Sequence, residues 1–220
     1  MRRTVRLVLF NLEEVGLVGS RRYAMDLAQE RLPIAPDDRP VEGTPEETVT
    51  APDGTPERPS ETIIGMASLE MLGYFSDQPG SQSSPIPPIK DVFEPPTVGD
   101  FIAIISTRGH AGFVQRLREA MSAAAPGLKT GVVDFAPDMP LTPPSLLRSD
   151  HAPFLALGIP GVMVTDTANF RNPHYHKPTD EPGTLDAERF ALVVKGVAGA
   201  VWTIAEPALD APEEPARAED

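Results

Sequence analysis

The chain lacks cysteine throughout its 220 residues, which excludes disulfides and metal sites built from thiolates. Any bound metal must therefore be held by carboxylates and imidazoles. Histidine is also scarce, and its four copies are His110, His151, His174 and His176. No apolar run has the length of a membrane span. The apolar run that follows Met1 is too short, and too often interrupted by polar residues, to serve as an export signal.

Basic residues are in deficit, because 19 Lys and Arg face 32 Asp and Glu for a formal net charge of -13. Such a surface repels phosphate backbones, so nucleic acid is not an expected partner. Hydrophobic residues still make up 40% of the chain, and at this length they can form one domain with a substantial core. We expect this single domain to cover residues 1–205.

Some stretches contain few large apolar residues. Residues 33–61 are rich in proline and acidic side chains, and they bury too little apolar surface to offset the entropy of ordering. We therefore expect a disordered insertion at 33–61 and a disordered acidic tail at 206–220. Residues 73–99 form a long loop rich in glycine, serine and proline. Loops of this length in compact domains are often functional.

Short apolar runs typical of strands alternate along the chain with amphipathic stretches typical of helices. Serine at position 20 and serine at position 149 are placed to cap two of the helices. The alternation predicts an α/β sandwich around a mostly parallel sheet. The predicted strands are residues 4–12, which we expect to be largely buried, 62–72, 100–106, 130–135 and 160–165. The predicted helices are residues 16–31, 110–123, 150–157 and 185–205.

The first candidate site feature is the acidic pair Glu13-Glu14, which follows the first predicted strand. Where a strand ends and the chain turns, adjacent carboxylates can reach one cleft. One can then bind a metal while the other accepts a proton from metal-activated water. The alternative is a pair of solvated acids. The sequence Val-Gly-Leu-Val-Gly-Ser that follows favours the site, because it predicts a tight turn into a helix.

Glu70 lies between Leu69 and Met71 in the second predicted strand. Burying a carboxylate is costly unless it is paired or binds a metal, so Glu70 is a candidate metal ligand. The alternative is an acid at the strand end that faces solvent.

The turn-rich segment 173–180 holds two further candidates, His174 and His176. Imidazole is a common zinc ligand, and a nearby carboxylate such as Asp180 often orients it. Spacing alone does not choose between the two histidines. Further upstream, Asp150 is placed either to accept a hydrogen bond near the site or to cap a helix. His151 is interpreted as a packed histidine, and His110 is given no role.

Four motifs together resemble the M28 family of zinc exopeptidases, which includes bacterial secreted aminopeptidases. The acidic-pair motif is FNLEEVGLVGS at residues 10–20, and the next ligand strand is SLEMLGYFSD at residues 68–77. The late helix and strand are SDHAPF at 149–154 with GIP at 158–160. The final ligand loop is PHYHKPTD at 173–180. The resemblance implies a three-layer α/β sandwich of the zinc-peptidase type.

The resemblance also implies roles for individual residues. Glu13 would be the general base, and Glu14 and His176 would bind one zinc ion while Glu70 binds the other. His176 is preferred to His174 because the family ligand lies four residues before an aspartate, here Asp180. Asp150 would support the site by hydrogen bonding. The loop at 165–171 would line the substrate cleft, with Phe170 and Tyr175 in contact with substrate.

The chain departs from the family pattern in one respect. Family members carry a His-Xaa-Asp segment and then an aspartate that bridges two zinc ions, both before the acidic pair. This sequence has no His-Xaa-Asp, and twelve residues precede Glu13. Three of the five protein ligands are therefore present. We interpret the chain as a family domain without its amino-terminal part, through a misplaced start, a broken gene, or a first half supplied by another chain.

The resulting hypothesis is a zinc-dependent aminopeptidase that acts on peptides. The alternatives are a non-catalytic remnant or binding module of the same fold, and a cyclase-like acyl transferase. Many family members are exported or membrane-anchored, and any export signal would lie upstream of Met1. Localisation, oligomeric state and the preferred amino-terminal residue stay open at this point.

Overall fold

The computed structural model describes residues 3–29, 34, 62–91, 93–106, 109–134 and 143–206. The predicted insertion at 33–61 and the predicted tail at 206–220 lie outside the described residues, apart from Ile34 and Glu206. The strands are β1 (Met66–Glu70), β2 (Ile102–Ser106), β3 (Thr130–Asp134) and β4 (Gly161–Thr165). The helices are α1 (Val18–Gln29), α2 (Ala111–Ala124), α3 (Ala152–Ala156) and α4 (Ala187–Ala205), and short 3₁₀ turns lie at Pro144–Leu147, Ala168–Phe170 and Pro182–Thr184.

The four strands form one mixed sheet in the order β1-β4-β2-β3. β1 pairs with β4 in parallel and β2 pairs with β3 in parallel, whereas β2 and β4 are antiparallel. The two central strands, β2 and β4, are buried at every residue. Their runs Ile-Ala-Ile-Ile-Ser and Gly-Val-Met-Val-Thr suit burial on both faces of a sheet.

One face of the sheet is covered by α2 and α4. Alternate residues of β2 and β4 point to this side, and they pack against the apolar stripes of both helices. Burial of aliphatic side chains in this cluster removes apolar surface from water, and this hydrophobic effect is the main favourable term in folding. Its largest buried members include Ile102, Ile104, Met121, Val162 and Val193.

The opposite face is covered by α1, α3, the long loop and the first 3₁₀ turn. Ile105 and Met163 point to this side and contact Ile86 and Leu146. Next to them, an aromatic cluster of Phe10, Tyr23 and Phe154 joins α1 to α3, with ring centroids 5.8–6.3 Å apart. Elements on both faces of a mixed sheet confirm the predicted α/β sandwich.

The prediction of a buried strand at residues 4–12 is wrong. These residues have no regular secondary structure, and the side chains of Leu7 and Leu9 are 91% and 101% exposed. The segment is held at its ends, where the Arg3 N–H donates to Ala205 O at 3.0 Å and Phe10 enters the aromatic cluster. Strand structure needs a hydrogen-bonded neighbour, and none of the described residues pairs with this segment.

Neither predicted serine cap is present. Ser20 lies inside α1, where its hydroxyl donates to Leu17 O at 3.2 Å. Such a bond back to the preceding turn satisfies the hydroxyl rather than the first helical N–H groups. Ser149 lies three residues before the start of α3, and its hydroxyl instead donates to Glu70. Among the described residues, we find no helix with the length and hydrophobicity that a membrane crossing requires.

The contact between α2 and α4 generates a stability prediction. A Cβ atom added at Gly199 would lie 2.2 Å from the Cβ of Ala124, so the two helices would have to separate. We expect Gly199→Ala to lower the free energy of unfolding by roughly 1–3 kcal/mol, because overpacking outweighs the gain in helix propensity. Gly183→Ala is the matched control, since nothing lies within 4 Å of its added Cβ. Urea denaturation measures both, and equal stabilities for the two variants would contradict the predicted packing.

Candidate functional site

The acidic pair lies in a tight turn that leads into α1. The N–H groups of Gly16 and Leu17 donate to Glu13 O at 3.1 and 2.9 Å, which closes the turn. Gly16 has a φ of 109°, a conformation that side chains disfavour, so the glycine is required here. The turn directs both carboxylates, Glu13 and Glu14, toward one cavity of about 540 Å³.

Three carboxylates line this cavity, and the buried Asp150 is close enough to interact with them electrostatically. Burial and the charges of Glu70, Glu14 and Asp150 together raise the pKa of Glu13 to about 7, with burial the largest cause and His176 acting in the opposite direction. A carboxylate that titrates near neutral pH can accept and release a proton under physiological conditions. The sequence placed these residues far apart, and the fold brings them together.

The structure distinguishes the two histidines that spacing left open. His176 Nε2 lies 2.8 Å from Glu14 Oε1, at the edge of the cavity. His174 Nδ1 instead lies 3.0 Å from Thr179 Oγ1, and its ring packs near Tyr74. His176 also has a φ of 54°, so its backbone adopts a strained left-handed conformation at the site. The geometry therefore brings His176, and not His174, to the acidic pair.

Glu70 lies at the end of β1 and is half-buried. Burial raises its pKa, and a hydrogen bond from Ser149 Oγ to Glu70 Oε2 at 3.1 Å acts in the opposite direction. Ser149 Oγ also lies 3.1 Å from Ser68 Oγ, so the two buried serines form a short chain to the carboxylate. This arrangement orients Glu70 toward the cavity.

The residues before α3 have different environments. Asp150 Oδ1 is buried and has no hydrogen-bond partner among the described residues, and the support of the site by Asp150 stays a prediction. Its charge nevertheless contributes to the raised pKa of Glu13. His151 is fully buried, with Nε2 2.9 Å from Leu146 O, and burial lowers its pKa to about 4. His151 is thus a packed neutral histidine, as interpreted from the sequence.

The cavity wall is formed by the segment after β4 and by the final loop. Phe170 and Tyr175 both line the cavity, and the ring of Tyr175 stacks on His176 with centroids 3.9 Å apart. An apolar part of the remaining wall belongs to the sheet face, the long loop and the 3₁₀ turn at Pro144–Leu147. Its members include Ile86, Phe93, Ile105, Val133, Leu146 and Met163.

Sequence reasoning missed several residues that shape the cavity. Arg148 donates to Asn169 Oδ1 at 2.6 Å, lies 5.9 Å from the Phe170 ring centroid, and counters the raised pKa of Glu70. Its position directly before the motif at 149–154 was the available signal. Asp180, expected to orient His176, instead accepts a long hydrogen bond of 3.4 Å from Asn172 Nδ2.

Carboxylate and imidazole are suitable zinc ligands, and Glu14 and His176 already converge. Within the part of the chain that the structure describes, however, no three His, Asp or Glu side chains form a group that could hold a metal. Catalytic zinc sites usually have three protein ligands. The donor types are therefore suitable, but the described residues do not complete a site.

Comparisons with known proteins give a consistent result. Residues 105–201 match the family described as Peptidase family M28. The uncharacterized protein YfbL of Escherichia coli (strain K12) is 35% identical over 141 residues, which are 64% of this chain and 41% of YfbL. The chain thus spans less than half of this relative. The matched family range contains Phe170, Tyr175 and His176 but not the three glutamates of the site.

Solved structures agree in fold. The aminopeptidase from Aneurinibacillus sp. strain AM-1 is 25% identical with a TM-score of 0.50, over 90% of this chain and 33% of that chain. The Legionella pneumophila LapA aminopeptidase is 16% identical with a TM-score of 0.51, over 90% of this chain and 38% of that chain, and shows the fold alone. The chain is therefore an α/β protein that is similar in fold to these aminopeptidases. Residues 105–201 are more specifically similar to Peptidase family M28, and the predicted resemblance to this family is confirmed.

The raised pKa of Glu13 predicts a pH dependence for metal-free protein. Its pKa of about 7 exceeds the ordinary value of 4.5, so the folded chain holds this proton more tightly than the unfolded chain. The resulting stability is present below about pH 4.5 and is lost as the pH rises through about 7. As the pH rises from about 5 to about 8, we expect the free energy of unfolding to fall less in Glu13→Gln than in the parent.

Urea denaturation in the presence of a chelator, at both pH values, measures this difference. Glu188→Gln, an exposed position in the first turn of α4, is the control and should follow the parent. Glu70 and Asp166 also have raised pKa values, so the variant should retain part of the decline. An identical decline in Glu13→Gln and the parent would contradict the electrostatic coupling described here.

Proposed function

We propose that the protein is a metal-dependent exopeptidase that hydrolyses the amino-terminal peptide bond of peptides. The observation that carries this proposal is the meeting of Glu13, with a pKa of about 7, and the Glu14–His176 pair at one cavity. The family match and the aminopeptidase folds support the same class of activity. The chain covers a minor part of these relatives, so the complete activity is a proposal.

The cofactor in this proposal is zinc, which would activate water and polarise the scissile carbonyl. Glu14 and His176 would hold one ion and Glu70 a second, as the family resemblance implies. Because the described residues do not complete either site, the remaining donors must come from outside them. Ser149 would orient Glu70 through its hydrogen bond.

The remaining steps are assigned to residues of this chain. Glu13 accepts a proton from the attacking water and returns it to the leaving amine, for which a pKa near 7 is suitable. The surrounding carboxylates favour a positively charged amino terminus and disfavour an anionic group. Phe170, Tyr175 and the apolar wall receive the side chain of the first residue. The cavity therefore suits an amino-terminal residue with an apolar side chain.

Zinc content is the first measurement. We expect little zinc in the purified 220-residue chain and two ions in a form extended at its amino end to the length of its relatives. Elemental analysis after gel filtration measures both. Two ions in the short chain would mean that the ligands differ from those assigned. No zinc and no hydrolysis in either protein would instead favour the non-catalytic alternative, which the incomplete donor group motivates.

The role of Glu13 is tested in whichever form of the protein hydrolyses a leucyl anilide. We expect Glu13→Gln to reduce kcat by about 10²–10⁴-fold, because a neutral amide cannot accept the proton. Zinc content should not change. His174→Ala is the matched control, since His174 is bonded to Thr179 outside the cavity, and it should retain activity. Full activity in Glu13→Gln would exclude this residue as the base.

A further inference from the structure

Arg171 is a buried cation that the proposed reaction does not use. It follows Phe170 in the segment after β4, and its side chain is only 6% exposed. The guanidinium carbon lies 4.7 Å from the ring centroid of Phe101 and 5.8 Å from that of Phe75. Burial lowers its pKa to about 10, so it remains charged at neutral pH. Burying a charge is costly, and a packed apolar side chain would often be equally stable.

The hydrogen bonds of Arg171 join two points of the long loop to a residue just beyond its end. Nη1 donates to Tyr74 O at 3.2 Å, at the start of the loop, and to Phe101 O at 2.8 Å, two residues after the loop ends. Nε donates to Gln82 Oε1 at 2.8 Å, within the loop. A planar guanidinium can hold several acceptors in fixed directions, which an ammonium group cannot. Arg171 thus closes the base of the loop and holds its interior.

Gly99 provides the space for this side chain. A Cβ atom at position 99 would lie 2.7 Å from Arg171 Nε and 2.8 Å from its Cδ. The stem of Arg171 therefore passes directly against the backbone of the loop. Any larger residue at position 99 would displace it.

Gln82 connects Arg171 to the cavity wall. Because Arg171 Nε is only a donor, the amide oxygen of Gln82 must face it, and Nε2 faces the other way. Nε2 donates to Ser83 O at 2.7 Å and to Thr167 Oγ1 at 2.9 Å. Ser83 in turn donates from both its N–H and its hydroxyl to Phe170 O, each at 2.9 Å. The loop is thereby fastened to the main chain of a cavity-lining residue.

We propose that Arg171 is a positioning residue that fixes the long loop against Phe170 and so sets the width of the apolar cavity beside the carboxylates. The inference rests on the proposed function in one respect, namely that this cavity receives the first side chain of the substrate. Ser83, Ile86 and Phe170 line the cavity directly. Arg171 acts through them and does not itself line the cavity.

Amide hydrogen exchange tests the loop attachment without any need for activity. In Arg171→Met we expect the Ser83 amide to exchange about tenfold faster or more, because its acceptor on Phe170 is no longer held in place. Arg171→Lys keeps the charge without the fork of donors, so it should restore protection only in part. Gln82→Met and Gly99→Ala should accelerate hydrogen exchange of the same amide. These two variants test the loop attachment if Arg171→Met does not fold.

Arg189→Met is the matched control. Arg189 also lies over Phe75, at 5.6 Å, but its side chain pairs with Asp77 and Asp186. Its removal should leave the Ser83 amide unchanged. Parent-like exchange of Ser83 in folded Arg171→Met and Gln82→Met would overturn the proposal, and so would acceleration in Arg189→Met to the same degree.

Ligand selectivity tests the consequence for the cavity. Leucine amide and alanine amide are titrated while NMR follows the methyl group of Met163, which lines the cavity. We expect the ratio of the two affinities to fall by about three- to tenfold in Arg171→Met, because a wider cavity contacts the leucyl side chain less closely. An unchanged ratio with a loosened loop would overturn the positioning role.

If the protein hydrolyses peptides, the same change should appear as a higher KM for leucyl substrates with a smaller effect on kcat. Failure to hydrolyse any peptide would count against the proposed function alone, because the exchange and titration results do not depend on catalysis.

Discussion

Mutual repulsion among carboxylates is the constraint on which the site depends. Glu13, Glu14 and Glu70 line one cavity, and Asp150, from a third part of the chain, interacts with Glu13 through its charge. The folded chain moderates the repulsion in three ways. A half-buried Glu13 keeps its proton up to about pH 7, His176 contacts Glu14, and Ser149 donates to Glu70. A bound cation would relieve the same repulsion more fully, which is consistent with the proposed metal-dependent activity.

The scaffold explains why these groups meet where they do. β1 and β4 are parallel neighbours, so their last residues, Glu70 and Thr165, lie side by side at the same end of the two strands. The segments that follow each strand therefore begin beside one another. Asp166 joins them, because its carboxylate accepts hydrogen bonds from the N–H groups of Tyr74 and Ala168 at 2.8 and 3.0 Å. The pairing of β1 with β4 therefore positions both Glu70, in the acidic cluster, and the cavity-lining segment that follows β4.

Much of the fold could be predicted from the sequence because its signals are local. The strand predicted at 100–106 is observed at Ile102–Ser106, and the helix predicted at 110–123 is observed at Ala111–Ala124. The prediction of a strand at residues 4–12 failed because a strand depends on a hydrogen-bonded neighbouring strand as well as on β-branched composition. Ser149 is not a cap because the residue at the start of α3 is His151, and the Ser149 hydroxyl donates to Glu70, which is distant in sequence. The mixed strand directions also involve distant segments, and no local pattern encodes them.

The candidate site likewise combines residues that local motifs predict with residues whose role depends on distant segments. The acidic pair, Glu70 and the final loop were identified from motifs, and the structure brings them to one cavity. The choice of His176 over His174 rested on family spacing, and the contact with Glu14 now gives it a physical basis. Arg148 and Arg171 were missed because an arginine carries no motif of its own. Their importance follows from what surrounds them after folding.

The position of β4 in the sheet affects the order in which the protein can form. β4 lies between β1 and β2, although it follows both in the chain. During synthesis β1 and β2 leave the ribosome early, yet neither has its central neighbour until residues 161–165 are available. The β2–β3 pair and its covering helix α2 are local and can form sooner. Sheet completion is therefore a late event with long-range contacts, and such events slow folding and prolong the exposure of apolar strands.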